Sequence, residues 1–295
     1  MRSSSRTGES CIFSARGCIL RRKHECLVIC ERETDLKRRN SYSTFFCLAL
    51  FLLFGRAFAF DHSHAQFDKV LKDVVVQTGK FSRVKYQDLK KNPKLLEEYL
   101  AALSAVQQSE FKGFQENERL AFLINAYNAF TLKLIIDNYP VKSIKEIGGI
   151  FSSPWKRKFF KLLGEDFHLD RIEHDIIRKD FDEPRIHFAV NCASIGCPPL
   201  APFAFVAAKL DEQLEQVTLN FISDSSQNRW NAAKRSFEIS SIFKWYGSDF
   251  NRKHTNHGAF LATKMGLPAE TRKDALAGRV KYDYLDYDWS LNDAN

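Results

Sequence analysis

Apolar positions along the chain fall into runs of helical and strand period. Phe67, Val70, Leu71 and Val74 stand at i, i+3, i+4 and i+7, which predicts an amphipathic helix, broken by Gly79. Arg83–Tyr86 reads as a short strand, and Asn92-Pro93 as an N-cap with proline at the first helical position. Behind it Leu96, Tyr99, Leu100 and Leu103 make the next apolar face. The segment Glu118–Asn138 is apolar on nearly every side, the pattern of a helix buried all round, and Pro140 closes it. Lys158–Leu163, Gly164 and Asp166–Leu169 read as a hairpin. Asp170 and Glu173 then read as the N-cap and N3 partner of a short helix to about Lys179. Arg185–Asn191 alternates, with Ile186, Phe188 and Val190 on one face, and is expected to be a strand. Leu210, Leu214, Val217 and Phe221 mark a helix, followed by a strand at Ser236–Ser240 and helices at Ser241–Phe250, Gly258–Met265 and Ala269–Leu276. Val280–Tyr284 reads as a late strand. No linker rich in Gly, Ser or Pro interrupts residues 65–295. The expected fold is therefore α+β: a single domain, with a central buried helix packed on a small mostly antiparallel sheet and surrounded by helices.

The first 59 residues read differently. Lys37-Arg38-Arg39, the apolar run Phe45–Phe54 and Ala57-Phe58-Ala59 have the order of a secretory signal peptide spanning residues 37–59. The run is half of the roughly 20 residues a membrane-spanning helix needs, so no stable transmembrane segment is expected after cleavage near Ala59. Residues 1–36 carry no periodicity and read as a non-native or disordered extension, with translation expected to begin near Leu27 or Val28. Residues 60–295 would then form the mature domain, periplasmic or secreted. This reading changes both charge and cysteine content. Residues 1–59 hold 11 Lys/Arg against 5 Asp/Glu, so most of the net charge of +8 leaves with them. The near-neutral remainder offers no general grip on phosphate backbones, and nucleic acid is not an expected partner. Five of the seven cysteines lie in the leader, and Cys192 and Cys197 remain.

Three places in the mature chain carry chemistry. Asn125 and Asn128 share a face of the apolar helix, and burying either amide unpaired would cost roughly 1–3 kcal/mol. They either hold a neighbouring loop or orient a catalytic group. The stretch His187–Pro199 places two thiols and a hydroxyl in a loop of small residues behind an imidazole. A reactive thiolate needs a nearby base or cation, for which His187 and His174 are candidates. As an extended strand, His187 and Cys192 would stand roughly 16 Å apart, so the loop would have to fold back. In an oxidising compartment the C-x4-C pair also suits a structural Cys192–Cys197 disulfide; a redox-cycling pair or metal ligation are the other options. The third place is the set Asp61, His62, Glu173, His174, His187, Asp286 and Asp288, which lacks any HExxH or paired CxxC spacing. No metal and no cofactor are expected from it.

At these motifs the chain resembles bacterial members of the family known as domain of unknown function 547. The likeness runs from about Asp61 to Asn292. It rests on Asp61-His62-Ser63, Glu118–Asn128, Tyr139–Ile144, Ser153-Pro154-Trp155, Ile172-Glu173-His174, Arg185–Pro199, Ser241–Tyr246 and Tyr287–Asn292, in that order. The resemblance implies a family but no activity. The order of helix, His segment and Cys loop is also similar to a rearranged papain- or transglutaminase-type core. Those enzymes carry their cysteine at the start of the central helix, where this chain has none, so no triad transfers. Two functions remain in view. One is a thiol-centred hydrolase or acyl transferase using Cys192 as nucleophile, His174 or His187 as base, and Asn125, Asn128 or Asn191 as oxyanion donors or orienters. The other is a non-catalytic envelope protein that binds a small molecule or a partner, with a structural disulfide.

Overall fold

In this computed structural model the described residues are 59–149 and 153–294; the signal-peptide and extension readings for residues 1–58 lie outside them. The unit Phe60–Asn295 is organised around one helix. In chain order its elements begin with α1 (Ala65–Val74), β1 (Val75–Thr78), β2 (Phe81–Val84), α2 (Tyr86–Lys91), α3 (Lys94–Ala105), α4 (Gln108–Gly113) and α5 (Glu116–Asn138). Then come β3 (Phe160–Leu162), β4 (Glu165–Phe167), a π-helical turn (Arg171–Ile177) leading into α6 (Arg178–Asp180), and a 3-10 turn (Pro184–Phe188). The C-terminal half adds α7 (Leu210–Ile222), β5 (Asn228–Asn231), β6 (Ser236–Ser240), α8 (Ile242–Trp245), α9 (Gly247–Lys253), α10 (His257–Lys264), α11 (Ala269–Leu276) and β7 (Lys281–Leu285). This is a single α+β domain.

Helix α5 forms because Gln115 and Glu118 make a reciprocal capping box at its start. Beyond that, Leu120 to Leu132 are all buried, including Asn125, Asn128 and Thr131. It is long and apolar enough to cross a membrane, but its surface is spent on the protein core. Helices α2 and α3, the π turn and the segment before α7 enclose it. The hairpin β3–β4 joins them through Phe160, which stacks on Phe130 with ring centroids 3.7 Å apart. That hairpin turns at Leu163-Gly164, both at positive φ, the geometry that favours glycine in a two-residue turn.

The strands are divided among three small sheets rather than gathered under α5. Sheets β1–β2 and β3–β4 are antiparallel, and in the third β6 pairs antiparallel with β5 and parallel with β7. Most predicted elements lie within a few residues of their expected places. The expected strand at Arg185–Asn191 is the exception, because residues 184–188 coil into a 3-10 turn. Pro184 fixes its first φ, and the Glu183 carboxylate accepts the Arg185 N–H at 3.1 Å. Ile186, His187 and Phe188 are all buried, so the alternation in sequence does not correspond to an inner and an outer face. The helix expected over Ser241–Phe250 is broken at Tyr246 into α8 and α9. That break aims Tyr246 inward.

Candidate functional site

The cysteine loop is shaped from two sides. On α5, Asn128 donates to the Ala189 carbonyl at 2.9 Å and accepts the Asn191 N–H at 2.9 Å, fixing the chain just before Cys192. Asn191 in turn donates to the Pro198 carbonyl at 2.8 Å and accepts the Ala193 N–H at 2.9 Å, closing the loop on itself. From the other side the C-terminal segment runs along the loop. The Ile195 and Gly196 N–H groups donate to the Ser290 and Asp288 carbonyls, and the Asn292 N–H donates to the Ala193 carbonyl. Gly196 permits this approach, because a Cβ there would lie 2.9 Å from the Asp288 nitrogen and 3.0 Å from the Tyr287 ring. The strap carries Tyr287 onto the thiol. Its hydroxyl lies 3.2 Å from Cys192 Sγ, the Ser194 hydroxyl lies 3.1 Å from the same sulfur, and Ser194 Oγ donates to Tyr287 at 3.0 Å.

Cys192 is half-buried and Cys197 buried, and both are free thiols, so the disulfide expected of the pair is not formed. Instead the Cys197 sulfur accepts the Cys192 N–H at 3.1 Å. The hydrogen bond from Cys197, with those from Ser194 and Tyr287, outweighs burial and lowers the Cys192 thiol to about 7. Burial pushes Cys197 the opposite way. One of the two sulfurs is thus prepared as a thiolate and the other as its hydrogen-bond donor.

The π turn and the break between α8 and α9 bring a polar cluster to the same place. Arg178 grips Asp249 with two nitrogens at 2.6 and 3.0 Å and offers a third to His174 Nδ1 at 2.9 Å. His187 Nε2 lies 2.8 Å from Asp249 Oδ2. Burial would raise the Asp249 carboxyl, but hydrogen bonds from His187 and Arg178 hold it well below the usual carboxylate range. Because that carboxylate can only accept, His187 carries its proton on Nε2. Its Nδ1 is left as a buried acceptor with no partner, 3.9 Å from Glu173 Oε1. Burial lowers the His187 pKa and keeps the ring neutral. His174 is fixed by the same logic: the guanidinium can only donate, so its proton sits on Nε2, 3.9 Å from Asp170 Oδ1. Tyr246 stacks on His187 at 3.8 Å and hydrogen-bonds the buried Glu173 carboxylate.

Both groups open on one cavity of about 220 Å³. Cys192, Cys197, His174, His187, Asp170 and Glu173 line it, together with aromatic rings that include Trp155, Trp245 and Trp289. The far-separated segments therefore do meet. The coiling of residues 184–188 shortens the path from His187 to Cys192, since a 3-10 turn rises about 2 Å per residue instead of the strand's 3.3 Å. Even so, the hydrogen-bond partners of the Cys192 sulfur are Cys197, Ser194 and Tyr287, and neither imidazole is among them.

Asn125 and Asn128 stay out of the cavity. Asn125 donates to the Phe205 carbonyl at 2.7 Å and accepts the Phe205 N–H at 2.9 Å, so both amides, like Asn191, are spent on holding loops. None of the three lines the cavity, so the oxyanion role weighed for them has no support in the geometry. Glu173 is corrected in the other direction. It caps nothing: the side chain turns inward and is 5% exposed, because the turn carrying it is π-helical, a widened geometry common at functional sites. Asp61, His62, Asp286 and Asp288 are not among the residues that line the cavity; Asp61 and Asp288 cap local turns at Ser63 and Ser290. Among the described residues no three His, Cys, Asp or Glu side chains converge to hold a metal. Arg178, Tyr246, Asp249, Tyr287 and the three tryptophans are not singled out by residue chemistry, whereas Ser194 is the hydroxyl of the cysteine loop. Trp155, Ser194, Tyr246, Tyr287 and Trp289 do sit inside the motifs that carry the family resemblance.

Residues 111–222 match the model of the family described as "Protein of unknown function, DUF547", and this segment contains α5, the π turn, both histidines and both cysteines. No curated protein and no solved structure matches the chain.

Proposed function

We propose that this DUF547-like domain is a thiol-centred hydrolase or acyl transferase in which Cys192 is the nucleophile. The observation that supports this best is a half-buried thiol, lowered to about 7, opening on the cavity that also holds His174, His187 and Glu173. The thiolate forms a C–S bond to the carbonyl carbon of an ester or amide, and the π electrons move onto oxygen. The Tyr287 hydroxyl, already against the sulfur, is the donor best placed to follow the charge to that oxyanion. Collapse expels the leaving group, which hydrogen-bonds to the His174 Nε2–H and takes its proton from water, because a neutral ring whose Nδ1 is held by Arg178 has no second proton to give. Water or an acceptor amine or alcohol then attacks the thioester, and the C–S bond breaks. His187, clamped between Asp249 and the Tyr246 ring, is a positioning residue in this scheme, not the base.

The test is acylation of the full chain by a p-nitrophenyl ester, with the modified peptide mapped by mass. The reading predicts an acyl group on Cys192, a burst of nitrophenol, and neither in Cys192→Ser. Acylation elsewhere only, or none, contradicts it.

A second reading is favoured by the direct thiol–thiol hydrogen bond: a non-catalytic ligand- or partner-binding cleft whose Cys192–Cys197 pair oxidises to a disulfide in an envelope compartment. It predicts equal, purely structural effects of Cys192→Ser and Cys197→Ser. The leader motifs support a bacterial protein exported to the periplasm or medium after cleavage near Ala59. N-terminal sequencing of the exported product checks this, and a mature N-terminus upstream of Lys37 would contradict it.

A further inference from the structure

The polar side of the cavity is made of acceptors, and most of its donors are already spent. All three contacting nitrogens of Arg178 go to Asp249 and His174, the His187 N–H goes to Asp249, and the Tyr246 hydroxyl goes to Glu173. What remains is one donor, the His174 Nε2–H 3.9 Å from Asp170, against three acceptors: the Asp170 carboxylate, which has no hydrogen-bonded donor, the rest of the Glu173 carboxylate, and the buried Nδ1 lone pair of His187 behind it. Two carboxylates line the cavity and no lysine or arginine does, although the chain as a whole is basic. The protein's own cations sit around it: Lys145 lies 3.5 Å over the Trp289 ring, Arg178 lies over the Tyr246 ring, and the exposed Lys156 acts on Asp170 only at a distance, which leaves Trp155 and Trp245 as rings with no such cation among the described residues. The remaining wall is aromatic: Trp155, Trp245, Trp289, Tyr246 and Tyr287. Ring faces beside carboxylates are the surroundings that attract an organic cation.

We propose that the cleft selects substrates bearing a protonated amine close to the reacting carbonyl, the ammonium seated against Asp170 and Glu173 among the aromatic rings while the carbonyl faces Cys192. This rests on the thiol reading and names its substrate class. Because the cavity is small, an ammonium on that wall and a carbonyl at the sulfur belong to one compact group, such as an α- or β-amino acyl unit. The site is also short of positive charge in its own right. Burial raises the Asp170 carboxyl, the mark of a carboxylate whose charge is incompletely compensated and which a bound cation would relieve.

Methanethiosulfonate reagents that differ only in charge test the inference without a known substrate. The full-length protein is treated with trimethylammonium-ethyl, neutral methyl and sulfonato-ethyl forms; the Cys192 thiolate displaces methanesulfinate and forms a mixed disulfide. Modification of the Cys192 peptide is followed by mass, and each rate is divided by that reagent's rate with 2-mercaptoethanol. The cationic reagent is expected to exceed the anionic one by about tenfold, less at high salt. Asp170→Asn, at a side chain that makes no hydrogen bond in the fold, should remove most of that ratio. Glu173→Gln is the companion variant. Equal normalised rates at Cys192, or a ratio untouched by Asp170→Asn, overturn the inference while leaving the thiol reading in place. No modification of Cys192 by any reagent overturns both.

Discussion

At the scale of single residues, the protein keeps two kinds of titrating group off their ordinary values by opposite means. Hydrogen bonds favour the charged form of Cys192, whereas burial favours the neutral forms of His64 and His187. If Tyr287 helps hold the thiolate, Tyr287→Phe should raise the midpoint of Cys192 alkylation above about 7, and an unmoved midpoint would remove Tyr287 from the account. The histidines give a separate, global effect. His64 is lowered by burial to about 4, and its Nδ1 lies 2.7 Å from the Tyr99 hydroxyl. It therefore takes up a proton more readily in the unfolded chain. Its contribution is complete above the unfolded value of about 6.5 and is lost as pH falls towards about 4, with His187 acting in the same direction. The loss from His64 should reach on the order of 3 kcal/mol. Urea midpoints at pH 7.5 and 5 should show about 2 kcal/mol of it, the rest being lost by about pH 4, and His64→Gln should flatten the difference.

At the scale of elements, much was legible from periodicity, because α1 and α7 bury the face their spacing marks, α5 is buried nearly all round, and the hairpin at Gly164 and strand β6 stand where they are expected. At 184–188 an alternating sequence imitates a strand while Pro184 and the Glu183 cap decide the backbone; at 171–180 a short helix is legible but its π winding is not. Glu173 reads from its spacing to Asp170 as the N3 partner of a helix start, whereas its side chain is turned inward. Asn125 and Asn128 show that the polar pair in α5 is architectural. Asn125→Ala and Asn128→Ala should each cost about 1–3 kcal/mol, since each strands a backbone carbonyl and an N–H. Only Asn128→Ala should also slow Cys192 alkylation, because it alone holds the start of the cysteine loop. Equal chemical effects of the two would contradict that division of labour.

At the scale of the whole molecule, the site is built from segments as far apart in the chain as Trp155 and Trp289, joined by a C-terminal strap that crosses the cysteine loop at Gly196. No local pattern could announce Tyr287 as a partner of Cys192, since the contact spans 95 positions. Gly196→Ala should displace the strap and slow Cys192 labelling several-fold. Gly196 is itself buried and the added Cβ meets the Asp288 backbone, so the same variant should also lower the urea midpoint. The central claim, that Cys192 is a prepared nucleophile, is tested most directly by its alkylation rate with iodoacetamide from pH 5 to 10, read on the Cys192 and Cys197 peptides separately. The account predicts a midpoint near about 7 at Cys192 and a far slower reaction at Cys197. A midpoint near the ordinary thiol value of about 8.5, or equal labelling of the two sulfurs, would contradict it.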